Sequence, residues 1–189
     1  MNEKSRKIFK LIKIILILII IFLLIKIVFL DKKFLVDNTV QPKNFKECLA
    51  GNNIIREIYP RQCVDKSGQI FTEDIGNELE KSDLIQIASP RPNAEVSSPL
   101  NISGQARGNW FFEASFPVSL VDENNNILAS GLATAEGDWM TEDFVPFQAE
   151  LNFSLKTAST TGYLLLKKDN PSGLKQNDDF LKLPVILIK

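Results

Sequence analysis

The sequence predicts an all-β protein: an antiparallel β-sandwich of about seven strands, preceded by one transmembrane helix and a small disulfide-linked hairpin module. Three observations lead to this prediction. An apolar run fills residues 11–30, two cysteines follow it at positions 48 and 63, and from residue 84 onward short alternating segments are separated by turn residues. Such spacing is typical of a sandwich.

The apolar run has the length and the flanks of an uncleaved signal anchor. Its twenty residues, at about 1.5 Å each, reach about 30 Å, the thickness of the hydrocarbon core of a bilayer. No alanine occurs before Ala50, so the small-residue pattern of a cleavage site is missing. Basic residues are more numerous before the run than after it, which predicts a cytoplasmic N-terminus and an extracytoplasmic C-terminal domain in a single-pass cell-membrane protein. The alternative, a buried core helix, would be amphipathic, and this run is not.

The rest of the chain divides by composition. The predicted segments are a basic cytoplasmic tail at 1–10, the membrane helix at 11–30, a juxtamembrane linker at 31–44, a two-cysteine hairpin module at 45–75, an acidic linker at 76–83 and the sandwich at 84–189.

The two cysteines of the hairpin module are predicted to form a disulfide. Cys48 and Cys63 lie close together in a module too small for a core of its own, and outside the membrane such a pair is oxidised. The alternative is a redox or metal pair. Their spacing matches neither a C-x-x-C motif nor a zinc ribbon, and without histidine a closed zinc site lacks ligands.

Seven strand candidates follow residue 83. The alternation is strongest in FQAELNFSL at 147–155, which predicts a strand with one buried face and one solvent-exposed face. Pro184 has no backbone N–H to donate to a neighbouring strand, so the last strand is expected to lie at a sheet edge or to contain a break. The candidates are 84–88, 100–105, 114–121, 127–135, 147–155, 163–168 and 180–188.

Charge and composition exclude several functions. Residues 1–33 hold eight of the 22 basic residues and two of the 23 acidic ones, which leaves the remainder with a net charge of −7. A surface of that sign repels nucleic acid. The absence of histidine removes the commonest general base and metal ligand, so we expect no enzyme and no cofactor.

From residue 84 onward the chain resembles the immunoglobulin-like domain of bacterial sporulation and spore germination proteins. The resemblance implies an immunoglobulin-like, extracytoplasmic, non-catalytic sandwich in a bacterial cell envelope. The matching stretches, in order, are Ser89-Pro90-Arg91-Pro92-Asn93, Ser98-Pro99-Leu100, Ser103-Gly104-Gln105-Ala106-Arg107, Asn109-Trp110-Phe111-Phe112-Glu113, Gly137-Asp138-Trp139, 144–147 and Lys168-Asp169-Asn170-Pro171-Ser172-Gly173.

Two aromatic clusters beside turns supply a candidate ligand surface. Exposed Trp side chains stack on sugar rings, and neighbouring charged side chains bind hydroxyl or peptide groups. The alternative is that these rings fill the core. The candidate residues are Arg107, Trp110, Asp138, Trp139, Glu142 and Asp143.

Acidic clusters suggest two further sites. Asp122, Asn124 and Asn126 match the start of a calcium loop, but Ile127 and Ala133 stand where an EF-hand has Gly and Glu, so no metal site is assigned. Two other acidic clusters, Glu142-Asp143 and Asp178-Asp179, could bind calcium weakly together with Asp169 or Asn177, with a solvated loop as the favoured alternative. Paired carboxylates also occur in glycosidases, but about 100 residues of sandwich rarely form a deep cleft.

The sequence therefore predicts a membrane-anchored binding or adhesion module that engages cell-wall peptidoglycan or an envelope protein. The alternative function is a structural spacer or a subunit that associates with itself through strand edges and has no separate ligand.

Overall fold

The computed structural model describes residues 15–26, 41–155 and 160–189, and the chain divides into two units, 1–43 and 44–189. In the first unit, helix α1 covers 15–26. Among the described residues no helix is long and apolar enough to cross a membrane. The predicted transmembrane helix at 11–30, and the single-pass membrane location inferred from it, are therefore wrong. The residues that flank α1 in that prediction lie outside the described part.

The second unit begins with a small disulfide-linked module. Helix α2, Phe45–Ala50, starts at Asn44, whose side chain accepts the Glu47 N–H. A three-stranded antiparallel sheet follows, with β1 at Ile54–Arg56, β2 at Gln62–Val64 and β3 at Ile70–Thr72. The predicted disulfide is present: Cys48 and Cys63 join α2 to β2, with their Cα atoms 6.0 Å apart. The predicted hairpin thus has a third strand and a helix.

The core of this module is small. Both cysteines are fully buried beside Phe71, and Phe45 and Leu49 of α2 pack against them. Three buried residues are too few to hold a fold of this size by apolar contact alone, so the disulfide carries much of its stability.

The main body is one sheet of eight strands. A short helix α3, Glu78–Lys81, precedes it. The strand order across the sheet is β4-β6-β9-β8-β7-β10-β11-β5. The strands are β4 Ile85–Ser89, β5 Glu95–Val96, β6 Leu100–Arg107, β7 Ser115–Asp122, β8 Ile127–Ala135, β9 Phe144–Leu151, β10 Thr160–Lys167 and β11 Phe180–Leu187. Short 3₁₀ turns lie at Gly108–Trp110 and Lys175–Asn177.

The sheet is curled, and its two halves share few backbone pairs. β9 and β8 pair at only two positions, Thr134 with Gln148 and Ala135 with Phe147. One half contains β4, β6 and β9, and the other contains β8, β7, β10, β11 and β5. Apolar side chains from both halves form a single buried cluster, in which the Phe116 ring meets the Phe111 and Phe147 rings edge to face at 5.2 and 4.9 Å.

The fold class predicted from the sequence is therefore corrected in three respects. The protein is mostly β, but its strands form one curled eight-stranded sheet and a small three-stranded sheet instead of a seven-stranded sandwich with a hairpin, and no described helix can span a membrane. The additional strand is β5, whose two residues pair in parallel with β11. Two residues are too few to show alternation, which explains why the sequence did not indicate it.

Candidate interaction surface

The edge of β11 is closed by residues that precede the sheet in the sequence. Asn77 Oδ1 accepts the Lys182 N–H at 2.7 Å, and Asn77 Nδ2 donates to the Phe180 carbonyl at 2.9 Å. The Asn77 N–H also donates to the Lys182 carbonyl at 3.2 Å. Further along, β5 pairs with Ile186 and Leu187. Because unpaired strand edges recruit other strands, these bonds protect β11 from association.

The edge of β4 is partly covered by an arginine. The Arg91 guanidinium donates to the Ile87 carbonyl at 2.7 Å and to Glu78 Oε1 at 2.6 Å. A charged side chain on an edge strand blocks the approach of a second strand. The β4 edge and the β11 edge are therefore both protected against pairing with another strand.

Strand β8 carries no charged side chain and makes few backbone pairs on one side. It pairs with β7 on one side, while its other side pairs with β9 only at Thr134 and Ala135. Within the described part of the chain, residues 127–133 make no ladder pairs on that side, although β9 lies close at Gly131, where a Cβ would lie 3.0 Å from Leu151 Cδ2. The nine residues of β8, ILASGLATA, contain no charge and no proline. This edge lacks the usual features that keep strands apart.

An apolar surface continues from this edge onto the outer face of the sheet. Ile127 and Leu132 are 68% and 59% exposed, and Ser130 is exposed between them. Paired residues share a face, so Pro117 lies beside Leu132 and Ser119 beside Ser130. We call Ile127, Ser130, Leu132, Pro117 and Ser119 the β8 surface. The five residues are uncharged.

The two tryptophans of the predicted ligand surface differ in burial. Trp110 is fully buried in the core, and its indole N–H has no partner among the described residues. Trp139 packs against the same core and is half-buried. Of the two alternatives for Trp110, the structure shows the core position, so its ring cannot stack on a ligand from solvent.

Arg107 holds two loops together. Its Nε donates to the Asp83 carbonyl at 3.1 Å, one terminal nitrogen donates to the Glu142 carbonyl at 3.2 Å, and its guanidinium lies 4.0 Å from the centre of the Phe144 ring. Gly108 lies against the same loop, since a Cβ there would lie 1.9 Å from the Thr141 carbonyl oxygen. These contacts position the loop, and they engage the Arg107 donors that a ligand would use.

The acidic members of the predicted surface are exposed. Asp138 accepts the Met140 N–H at 3.0 Å, and Glu142 and Asp143 lie on the following turn. Glu142 enters the Arg107 contact through its backbone carbonyl, so its carboxylate remains in solvent. As a ligand surface these six residues stay a prediction, with Trp110 removed from its accessible part.

The carboxylates considered for calcium make local hydrogen bonds. Asp122 Oδ1 accepts the N–H groups of Asn124 and Asn126, and the Asn126 side-chain donor holds the pKa of Asp122 below its ordinary value. Asp178 accepts from the Asn170 side chain at 2.7 Å, and Asp179 pairs with Lys81 at 2.6 Å. Among the described residues no group of three or more metal-binding side chains converges. These bonds shape turns.

A second cluster joins the disulfide module to the sheet. Glu73 receives two bonds from the Arg61 guanidinium, at 2.9 and 2.6 Å, and one from Asn93 at 3.2 Å. The Arg61 donors hold the pKa of the buried Glu73 carboxyl below its ordinary value. Nearby, the Tyr59 hydroxyl donates to Glu78, which is also bound by Arg91. The cluster contains no nucleophile or general base beyond these paired groups, and its bonds fix the module against the sheet.

Residues 84–174 match the family model described as the immunoglobulin-like domain of bacterial spore germination. The match spans β4 to the turn after β10 and covers just under half of the chain, roughly 90 residues. This part of the chain is therefore similar to an immunoglobulin-like module, a kind of domain that is typically non-catalytic. Comparison with curated proteins and with solved structures found no match.

Proposed function

We propose that the chain is a non-catalytic binding module that engages another protein through the β8 surface. The observation that supports this proposal is the contrast between the strand edges: Asn77 and β5 close β11, Arg91 covers β4, and β8 is uncharged, bears exposed apolar side chains and pairs with β9 at only two positions. Backbone groups that are unpaired at a strand edge can bind an extended segment of a partner through hydrogen bonds.

The chemistry of an open edge favours a polypeptide partner over a glycan. The backbone of β8 offers alternating N–H and C=O groups at the spacing of a strand, which an extended peptide matches and a sugar polymer does not. The exposed Ile127 and Leu132 would add apolar contacts on either side. Among the expected partners, a protein therefore fits this surface better than peptidoglycan does.

A photo-crosslinking amino acid tests the proposal in the cells that make the full chain. Placed at Leu132, it is expected to form a polypeptide adduct, and a second change, Ser130→Lys, should abolish that adduct by placing a charge on the edge. The matched control Asn101→Lys changes an exposed residue of β6 in the other half of the sheet and should leave the adduct intact.

The same crosslinker at Met140 separates the β8 surface from the ligand surface predicted around Trp139. Met140 is 77% exposed, so any partner of the 138–143 loop is within its reach. A polypeptide adduct at Leu132 alone supports the proposal. Adducts at Met140 alone, or no polypeptide adduct at Leu132, would overturn it.

A further inference from the structure

The β8 surface is one end of a face that continues across three more strands. Residues paired between neighbouring strands point to the same side of a sheet. Ser130 pairs with Ser119, which pairs with Leu165. Leu165 in turn pairs with Lys182, and Lys167, two residues after Leu165, lies on the same side. We call this side of β8, β7, β10 and β11 the lysine face.

Apolar side chains make up much of the lysine face. One row across the strands joins Ile127, Val121 and Tyr163. Near opposite edges of the face, Leu132 and Phe180 are 59% and 46% exposed. Tyr163 and Phe180 also border a cavity of about 260 Å³. An apolar area of this kind on the outside of a sheet is typical of a surface that packs against another molecule.

The charged side chains of this face are both basic. All residues of its four strands are described, and the acidic residue among them, Asp122, pairs with Gly162 on the opposite side of the sheet. Lys167 and Lys182 are therefore the charges that a partner meets on the lysine face. Because the chain beyond residue 33 has a net charge of −7, this face is basic within an acidic molecule.

Neither lysine has an acidic partner within the described part of the chain. The carboxylates at the rim of the face make local contacts of their own. Asp179 pairs with Lys81 at 2.6 Å, and Asp74, which borders the cavity, accepts the Gly76 N–H at 2.8 Å. The two ammonium groups are therefore available to a ligand.

The two lysines are close enough to act together. Lys167 pairs with Phe180, two residues before Lys182, so the two lysines are diagonal neighbours with Cα atoms about 7–8 Å apart. The Lys182 ammonium lies 3.8 Å from the centre of the Tyr163 ring, which keeps it on the face. Two like charges at this spacing repel each other, and an anionic group bound beside them relieves that repulsion.

We infer that the protein bound at the β8 surface lies across the lysine face and places Asp or Glu side chains against Lys167 and Lys182. This inference rests on the proposed function, because it names the chemistry of the partner at the same surface. The partner is a polypeptide segment that carries both apolar and acidic side chains. Electrostatic complementarity directs such a segment to this face, since the net negative charge of the rest of the molecule repels it.

An anionic lipid surface fits these charges less well than an acidic polypeptide does. Each lysine near such a surface contributes about 1 kcal/mol, and a net charge of −7 on the chain opposes the approach. A single acidic segment meets the two lysines without bringing the rest of the molecule against a charged plane.

A photo-crosslinking amino acid at Phe180 of the full chain, in the cells that make it, tests the inference together with the one at Leu132. Leu132 and Phe180 lie three strand spacings apart, about 14 Å. A partner that crosses the face is expected to give an adduct of the same polypeptide at both positions. Mass spectrometry of the Phe180 adduct should identify a crosslinked peptide that contains Asp or Glu.

Charge reversal then tests the two lysines. Lys167→Glu/Lys182→Glu should lower the yield of the Phe180 adduct about tenfold, because it replaces two exposed attractions by repulsions. The matched control Lys175→Glu/Lys189→Glu makes the same change in net charge at two exposed residues outside the four strands, and should keep the yield within about twofold. The neutral variant Lys167→Gln/Lys182→Gln should give an intermediate yield, and near-ultraviolet circular dichroism verifies that each variant is folded.

The outcomes separate this inference from the proposed function. Equal yields for the charge-reversal variant and its control would overturn the inference, as would a crosslinked peptide without acidic residues or a lipid adduct in its place. If Leu132 captures a polypeptide and Phe180 captures none, the inference fails and the proposed function stands. If Leu132 captures nothing, both fail.

Discussion

Asn77 pairs with the edge of β11 beside Lys182. Its backbone and side chain together make three hydrogen bonds with residues 180–182, as a residue of a neighbouring strand would. The two residues lie 105 positions apart in the sequence. This relationship closes the half of the β11 edge that β5 does not reach.

Replacement of Asn77 by alanine should open that half of the edge. Two side-chain hydrogen bonds are lost, and at about 1 kcal/mol net for each we expect the free energy of unfolding to fall by about 1–2 kcal/mol. Urea denaturation measures the loss, and amide exchange at Lys182 should quicken. Asn124→Ala, in an exposed turn, is the control, and equal destabilisation by both variants would contradict the role of Asn77.

The Arg61–Glu73 pair predicts a specific acid sensitivity. Because the Arg61 guanidinium lowers the folded-state pKa of Glu73 below its ordinary value of 4.5, the pair stabilises the fold at neutral pH. That stabilisation is lost as the pH falls below the ordinary value and through the lower folded one. Glu73→Gln should therefore be less stable than the native chain at neutral pH and lose less stability between about pH 5 and pH 2.

Thermal unfolding across that pH range checks this expectation, with Glu123→Gln in the exposed 122–126 turn as the control. An acid profile of Glu73→Gln that parallels the native profile would show that other carboxylates govern the transition.

Removal of the disulfide should loosen the small module and spare the large sheet. Cys48 and Cys63 are 15 residues apart, for which loop-closure entropy gives about 3 kcal/mol of stabilisation. In the Cys48→Ser/Cys63→Ser double variant we expect fast hydrogen exchange over Gln62–Val64 and native protection over Thr160–Lys167. Loss of protection in both regions would mean that the module and the sheet unfold together.

The burial of Trp110 predicts how the tryptophan fluorescence responds to a quencher. In Trp139→Phe the remaining emission comes from the fully buried Trp110, so iodide should quench it weakly. In Trp110→Phe the half-buried Trp139 remains and should be quenched more strongly. Similar quenching constants for the two variants would contradict the assigned positions.

The long strands of the sheet could be predicted from the sequence, but the contacts that cover the sheet edges could not. Each of the seven strands with five or more residues overlaps a segment that the sequence predicted as a strand. The alternation of apolar and polar residues succeeds here because one face of each strand is buried and the other is exposed. It placed β9 three to four residues late, because alternation continues into Asn152 and Phe153 after pairing has ended. Asn77 could not be assigned, since nothing local marks a side chain that binds a strand 105 residues away.

The candidate site was harder to predict than the fold. Tryptophan beside charged residues indicates a ligand surface in many proteins, but here Trp110 is part of the core and Arg107 is engaged by backbone carbonyls. The β8 surface lacked any such marker. Its one sequence signal is the uncharged run ILASGLATA, and an uncharged strand is equally common in a sheet interior.

The closure of β11 also sets an order of events during synthesis. At roughly 5–20 residues per second, Lys182 leaves the ribosome between about 5 and 20 s after Asn77. β10 ends at Lys167 and β11 ends at Leu187, 20 residues later, so for about 1–4 s at the end of that interval β10 has one side unpaired while its partners Leu181, Leu183, Val185 and Leu187 are being made. The nascent chain therefore has to avoid pairing this edge with other strands until its final strand emerges.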